Sequence, residues 1–215
     1  MKRILIHSLI FSPDGVSTAY LYNDIALAFK EKGYEVVVVS TTPHFNAIHE
    51  QLEKQPLHWG VPGLFKTSSF HGIKVYHVPQ KKFKSTVLRL IGFVYWHIVS
   101  FFLVLSIRKI DVIVSPSPPL TIGLLNLWLG KLKRCKVVYN VQEIYPDILG
   151  KDSGLAFKVL SKMEHKIYAK SDAVTTIDQV FHDTIIGRFE DPSKLHIIPN
   201  FVDTNLYRTG VGLLT

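Results

Sequence analysis

A chain of 215 residues is long enough to bury a large core, and one α/β domain is the simplest organisation for it. Its hydrophobic content of 47% and mean hydropathy of +0.19 lie at the apolar end for soluble proteins, while a formal charge of +8 favours an anionic partner: nucleic acid, a phosphorylated substrate or an acidic membrane surface. The single cysteine, Cys135, rules out an internal disulfide and suits a reducing compartment.

Residues 3–7 read as a first short strand. The basic start Met1-Lys2-Arg3 is followed by an apolar run too short and too broken by His7 and Ser8 for a signal peptide, so a cytoplasmic protein is expected. After the turn Ser12-Pro13-Asp14-Gly15, Leu21, Ile25, Ala28 and Phe29 recur at helical spacing, and the helix closes at Gly33. The β-branched run 36–39 predicts a strand buried on both faces, completing a βαβ unit. Residues 43–73 carry Pro, Gly, His and Ser without a clear period and read as loop with one short helix. Strands are expected again at 74–78, 112–115, 136–141, 173–177 and 195–199, with helices at 84–109, 119–133, 155–170 and 179–188. That alternation predicts a single doubly wound, Rossmann-like α/β domain with a mostly parallel sheet. No internal repeat or low-complexity linker interrupts it. The last strand reads as buried and runs into Pro199-Asn200-Phe201-Val202-Asp203, with only a dozen residues after it, which suggests half of a larger architecture.

Residues 90–107 contain no charged side chain, while Lys81, Lys82, Lys84 and Arg89 precede them and Arg108 and Lys109 follow. Three readings stay open: a buried helix between two strands, a monotopic helix with its aromatic face in lipid and its lysines on anionic head groups, or a membrane span. A span would put the flanking strands in different compartments, which one sheet does not tolerate.

Three segments fall at strand ends, where sites on parallel sheets form. In the first, small residues in Gly15-Val16-Ser17 let backbone N–H groups at a helix N-terminus approach a phosphate; the alternative is a plain turn capped by Ser17 or Thr18. In the second, Ser115-Pro116-Ser117-Pro118-Pro119, prolines stop a strand and two serines face either a ligand or a helix start. The third, Val141-Gln142-Glu143-Ile144-Tyr145-Pro146-Asp147, turns acidic and aromatic at a strand's carboxyl end. Its two carboxylates suit base or hydroxyl-binding work better than mere favouring of a helix dipole. There is no G-x-G-x-x-G fingerprint, Walker loop or G-x-S-x-G elbow, so no cofactor is expected. His44 and His49 lack the neighbours a zinc site needs, so no metal is expected either.

Taken in order, these pieces resemble a known family. Ser12-Pro13-Asp14-Gly15, Lys32-Gly33-Tyr34-Glu35-Val36, Asp111-Val112-Ile113-Val114 with its Ser-Pro-Pro, the Val141–Asp147 segment, Glu164 through Tyr168 with Ser171-Asp172-Ala173-Val174-Thr175, and Ile198-Pro199-Asn200-Phe201-Val202-Asp203 are similar to the N-terminal half of family-four retaining glycosyltransferases of GT-B fold, especially the branch that builds bacterial surface polysaccharides. The resemblance implies that residues 1–207 form an acceptor-binding domain and that 208–215 are a tail or the start of an interdomain linker. A donor-binding domain would then lie outside this chain. It further implies catalytic roles for Glu143 and Asp147, a donor-diphosphate loop at Gly15, Val16 and Ser17, acceptor contacts from Ser115, Ser117, Gln142 and Tyr145, and a hinge at Asn200 and Asp203. Two departures stand out. The first loop has Gly15-Val16 where many relatives have Gly-Gly, and Gln142 stands where many have a histidine. Glutamine accepts no proton at neutral pH; in the sub-branch resembled, Gln followed by an acid and then Tyr- or Trp-Pro is the usual pattern, so the resemblance points to Glu143 for the base-like role.

The partners so implied are a UDP- or GDP-linked nucleotide-sugar held mainly by the second domain, a lipid-linked saccharide acceptor, and an anionic membrane at the inner face of the plasma membrane. A non-catalytic acceptor or membrane-docking subunit of a split transferase is the alternative. Nucleic acid has only net charge in its favour, because the lysines are dispersed or flank apolar runs.

Overall fold

The computed structural model describes residues 1–145, 147 and 154–200. Nine strands form one sheet in the order β3-β4-β5-β2-β1-β6-β7-β8-β9. In chain order the elements are β1 (Arg3–His7), α1 (Ser17–Glu31), β2 (Glu35–Thr41), α2 (His49–Lys54), β3 (His58–Val61), β4 (Phe65–Phe70), β5 (Ile73–Val78), α3 (Thr86–Ser106) and β6 (Val112–Pro116). They continue with α4 (Leu120–Lys133), β7 (Lys136–Val141), α5 (Gly154–Lys170), β8 (Ala173–Thr176), α6 (Gln179–Ile185) and β9 (Leu195–Ile197). Every pairing from β5 through β9 is parallel, as an α/β doubly wound fold requires; only β3 and β4 run antiparallel to their neighbours.

The core strands alternate their side chains between two helical layers. Ile4, Ile6, Val36 and Val38 pack with Tyr22 and Ala26 of α1, whereas Leu5, Val37 and Val39 pack with Trp96, Leu103 and Val104 of α3 and with Leu129 of α4. The crossovers β5→β6, β6→β7 and β7→β8 all advance the same way along the sheet. Right-handed crossovers therefore place α3, α4 and α5 on one face and α1, which steps back from β1 to β2, on the other. The direction reverses between β1 and β6, which opens a crevice at their carboxyl ends.

The sequence reading needs four corrections. Residues 43–73 hold not only the short helix α2 but a β3–β4 hairpin that extends the sheet beyond β5. The hairpin escapes pattern reading because β3 is exposed along its whole length and β4 is only half-buried, so neither needs apolar alternation. The buried face of α1 is Ala19, Tyr22, Asn23 and Ala26 rather than the stripe through Leu21 and Ile25, which is half-buried. Two polar groups, the Tyr22 hydroxyl and the Asn23 amide, disguise that face. Third, β9 is an edge strand in which only Leu195 is buried. Finally, α3 is neither a span nor a fully covered core helix. Both its ends join strands of one sheet; Trp96, Ser100, Leu103 and Val104 are buried, while Leu90, Ile91, Val94, Ile98 and Phe102 are exposed.

Candidate functional site

The three segments singled out at strand ends come together along the carboxyl edge of β1, β6 and β7, which are neighbours in that order. Each is held there by identifiable side chains.

In the loop after β1, the buried Asp14 carboxylate accepts the backbone N–H groups of His44 (3.0 Å), Phe45 (3.0 Å) and Asn46 (2.7 Å). Three donors converge on one charge, and charge-assisted bonds of this kind are the strong ones. The 43–48 segment is thereby folded over Gly15, whose N–H donates to the Asn46 carbonyl (2.8 Å). A Cβ at Gly15 would lie 2.3 Å from Ile48 Cδ1, so any larger residue there would have to displace the Ile48 side chain. Helix α1 follows directly, with Val16 at its N-cap and no side chain capping it. The cap by Ser17 or Thr18 of the alternative reading is not made; Ser17 is the first helical residue and is exposed. The first N–H groups of α1 are thus left without a capping side chain.

Under the second segment, Ser115 is fully buried and accepts the Asn126 amide (2.8 Å), whose oxygen lies 2.6 Å from His7 Nδ1. The His7 ring stacks on Trp96 at 4.9 Å, and burial holds its pKa down to about 4, so it is neutral. This chain ties β1, β6 and α4 together below the rim. Ser117 is buried as well, its hydroxyl accepting the backbone N–H of Gln142 (3.1 Å).

At the end of β7, the Gln142 amide is fully engaged. Its nitrogen donates to Asn140 Oδ1 (2.7 Å), and Gln142 and Asn200 exchange amide bonds of 3.2 and 2.8 Å. Asn140 in turn accepts the Tyr22 hydroxyl (2.7 Å) and donates to Thr175 (2.9 Å). Asn200 therefore belongs to the rim itself, whereas Asp203 lies outside the described residues.

The two acidic residues of the third segment have different settings. Glu143 is exposed and forms no ion pair among the described residues. Asp147 is 2.5 Å from Arg188, whose other terminal nitrogen lies 2.6 Å from the buried carboxylate of Glu164. Burial raises the Glu164 pKa against the pull of Arg188 and of the Tyr168 hydroxyl, which donates to it at 2.9 Å. Ile144 and Tyr145 are half-buried against the cluster of Tyr139, Ile167 and Tyr168. Among the described residues no three metal-ligating side chains gather.

Sequence reasoning missed Tyr22, Asn126, Asn140 and Arg188, and it singled out Glu164 only as part of the resemblance, with no role. Only Asn140 leaves a local trace, as the polar interruption of the run Val137-Val138-Tyr139-Asn140-Val141. The others sit on helices or turns where their periodicity is that of ordinary surface residues.

The sequence profile of glycosyltransferase family 4 matches residues 19–206. No curated protein is similar enough to the chain to be matched with it. Among solved structures, the catalytic domain of starch synthase IV from Arabidopsis thaliana, bound to ADP and acarbose, superposes with a TM-score of 0.64 at 13% identity, covering 95% of this chain and 52% of that one. HepE from Anabaena in complex with UDP and glucose gives 0.61 at 15% identity, with 98% and 47% covered. Sucrose-phosphate synthase from Thermosynechococcus elongatus gives 0.61 at 10%, with 96% and 50% covered. At such identities the likeness is one of fold, the Rossmann-like half of a GT-B architecture, and the chain spans about half the length of these structures. With the profile matched along most of its length, the chain belongs to glycosyltransferase family 4.

Proposed function

We propose that this chain is the acceptor-binding half of a retaining glycosyltransferase that moves a sugar from a UDP- or GDP-linked donor to a lipid-linked saccharide in bacterial surface-polysaccharide synthesis. The observation that carries the reading is Glu143. It is an exposed carboxylate just past the end of β7, beside the β1/β6 crevice, on a rim whose other polar groups are the side-chain amides of Gln142 and Asn200, with the buried Ser117 hydroxyl bracing it from below. A rim of that kind suits sugar hydroxyls, and a carboxylate on it is placed to bind or deprotonate one of them.

The other residues then divide the work. Gln142 supports the rim, because both its amide atoms are already bonded. Asp147 is occupied by Arg188 and takes no part in the chemistry. Ser115 acts from beneath the rim, and Tyr145 packs its base. The backbone of Gly15, Val16 and Ser17, at an N-terminus no side chain caps, faces the donor diphosphate. The nucleotides in the Arabidopsis and Anabaena structures support a nucleotide-linked donor, most of whose contacts would come from a second domain.

Glu143→Gln in an enzyme that pairs this chain with its donor-binding half tests the assignment. Turnover should fall by about 10²–10⁴-fold, the range for a positioned acid–base group, with unchanged denaturant stability. Unaltered turnover would remove Glu143 from the chemistry.

A further inference from the structure

The three helices on one face of the sheet share an unusual chemistry. α3 shows Val87, Ile91, Val94, Ile98 and Phe102 to solvent, spaced by four, three, four and four residues, which makes one stripe along the helix. α4 packs beside it and adds exposed Trp128 and Leu132. α5, next in line, turns Lys158, Lys162, Lys166 and Lys170 outward. Along all three helices the only carboxylate is Glu164, which is buried and paired with Arg188. The outer surface of these three helices is therefore apolar and cationic; the next exposed carboxylate on this face, Asp183, comes only on α6, beyond α5. The α1 face differs, since Asp24 and Glu31 mix there with Lys30 and Lys32.

Between the carboxyl-terminal halves of α4 and α5 lies an open cleft of about 420 Å³, lined by Leu127, Trp128, Lys131, Lys166 and Lys170. Asp172 also borders it, but its carboxylate is taken by Lys136 (2.7 Å) and by the Val137 N–H (2.9 Å). An indole with three ammonium groups around a recess matches the phosphate and upper acyl region of a lipid.

We propose that the α3–α4–α5 layer docks on an anionic bilayer, with the α3 stripe, Trp128 and Leu132 entering the interface and the cleft between α4 and α5 receiving a lipid phosphate head group. Charge complementarity selects this occupant. A second copy of the chain could cover the apolar stripe but would set the α5 lysines and Lys131 against cations of the same sign, whereas an anionic leaflet takes the apolar side chains and supplies the charge these helices lack. The docking also has a consequence for geometry. α3 follows β5, so its amino-terminal end, with Lys81, Lys82 and Lys84 just before it, lies at the carboxyl edge of the sheet, where the rim is. A bilayer along α3 thus passes close to the site. The surface itself rests on the helical layer and not on the transfer reading.

The test is flotation of the chain with phosphatidylglycerol–phosphatidylcholine vesicles and with pure phosphatidylcholine vesicles, at low and high salt. The wild type should float with the anionic vesicles at low salt. Lys131→Glu/Lys166→Glu/Lys170→Glu should lower partitioning by about a hundredfold, while Lys30→Glu/Lys32→Glu on the opposite layer changes it little. In a Trp59→Phe background, where Trp128 is the remaining exposed indole, its emission should shift to the blue on binding. Absence of flotation at low salt overturns the proposal, as does equal loss from charge reversal on either layer. A vesicle-free dimer that buries Trp128 would equally overturn it. Loss of turnover in Glu143→Gln with vesicle binding intact, or the reverse, separates this surface from the catalytic reading.

Discussion

Arg188 is the cation on which two carboxylates depend, one exposed at the rim and one buried in α5. Removing one partner of a buried pair leaves the other charge uncompensated, so Arg188→Met should lower stability by about 3–5 kcal/mol. The sign with pH follows from Glu164. Its folded pKa is already above the ordinary value through burial, and losing Arg188 raises it further. The damage should therefore be greatest at neutral pH and shrink as acid protonates Glu164 in the folded state. Denaturant unfolding at neutral and mildly acidic pH checks this, and Glu164→Gln added to Arg188→Met should recover most of the loss. Equal destabilisation at both pH values would place the effect in packing instead.

His77 titrates in the opposite sense. Its Nδ1–H donates to the Thr41 carbonyl (3.0 Å), and Nε2, 2.7 Å from the Ser68 hydroxyl, accepts that hydroxyl when the ring is neutral. Burial, with Lys66 nearby, holds the pKa down from 6.5 to about 4. A depressed folded pKa gives stability that is present above 6.5 and lost as pH falls toward 4, roughly 3 kcal/mol for this one residue. Unfolding midpoints measured across that window should fall less steeply in His77→Gln than in the wild type. Parallel slopes would assign the acid sensitivity elsewhere, first to His7, which shares the same depressed value.

Among the elements, the β1–α1 connection shows how a loop is made into a platform. Asp14 gathers three N–H groups of the segment that covers Gly15, and without it that segment has no comparable anchor. Asp14→Ala should lower stability by about 3 kcal/mol and open residues 43–48 to protease, since hydrogen bonds to a buried charge are worth more than neutral ones. An unchanged cleavage pattern would mean that packing of Ile48 on Gly15 holds the segment alone. The parallel strands and their helices were legible in the sequence because apolar period and turn residues agree there: residues 3–7 and 136–141 coincide with β1 and β7. The β3–β4 hairpin was not, since an exposed edge carries no burial pattern to read. The α1 face was misread because it is polar where it meets Asn140.

For the whole molecule, the sheet brings the three segments singled out in the sequence to one edge, which is why they were recognisable as strand-end motifs. What holds them there was not legible. The contacts Ser117–Gln142, Gln142–Asn200 and Asp147–Arg188 join residues far apart in the chain, and side-chain pairing across that distance leaves no local signature. The exposed helical layer was half legible: the charge-free run on α3 stood out, whereas Trp128 and the α5 lysines looked like ordinary surface until the fold placed them beside it.

The division of labour between an acceptor half and a donor half is the central claim, and it is tested most directly by giving this chain a nucleotide-sugar. Calorimetric titration with UDP- and GDP-sugars, followed by a radiolabel transfer assay on lipid-linked saccharide, should show weak donor binding and no transfer by the chain alone, with transfer appearing when a donor-binding half is supplied. Micromolar donor affinity, or turnover by these 215 residues unaided, would contradict it.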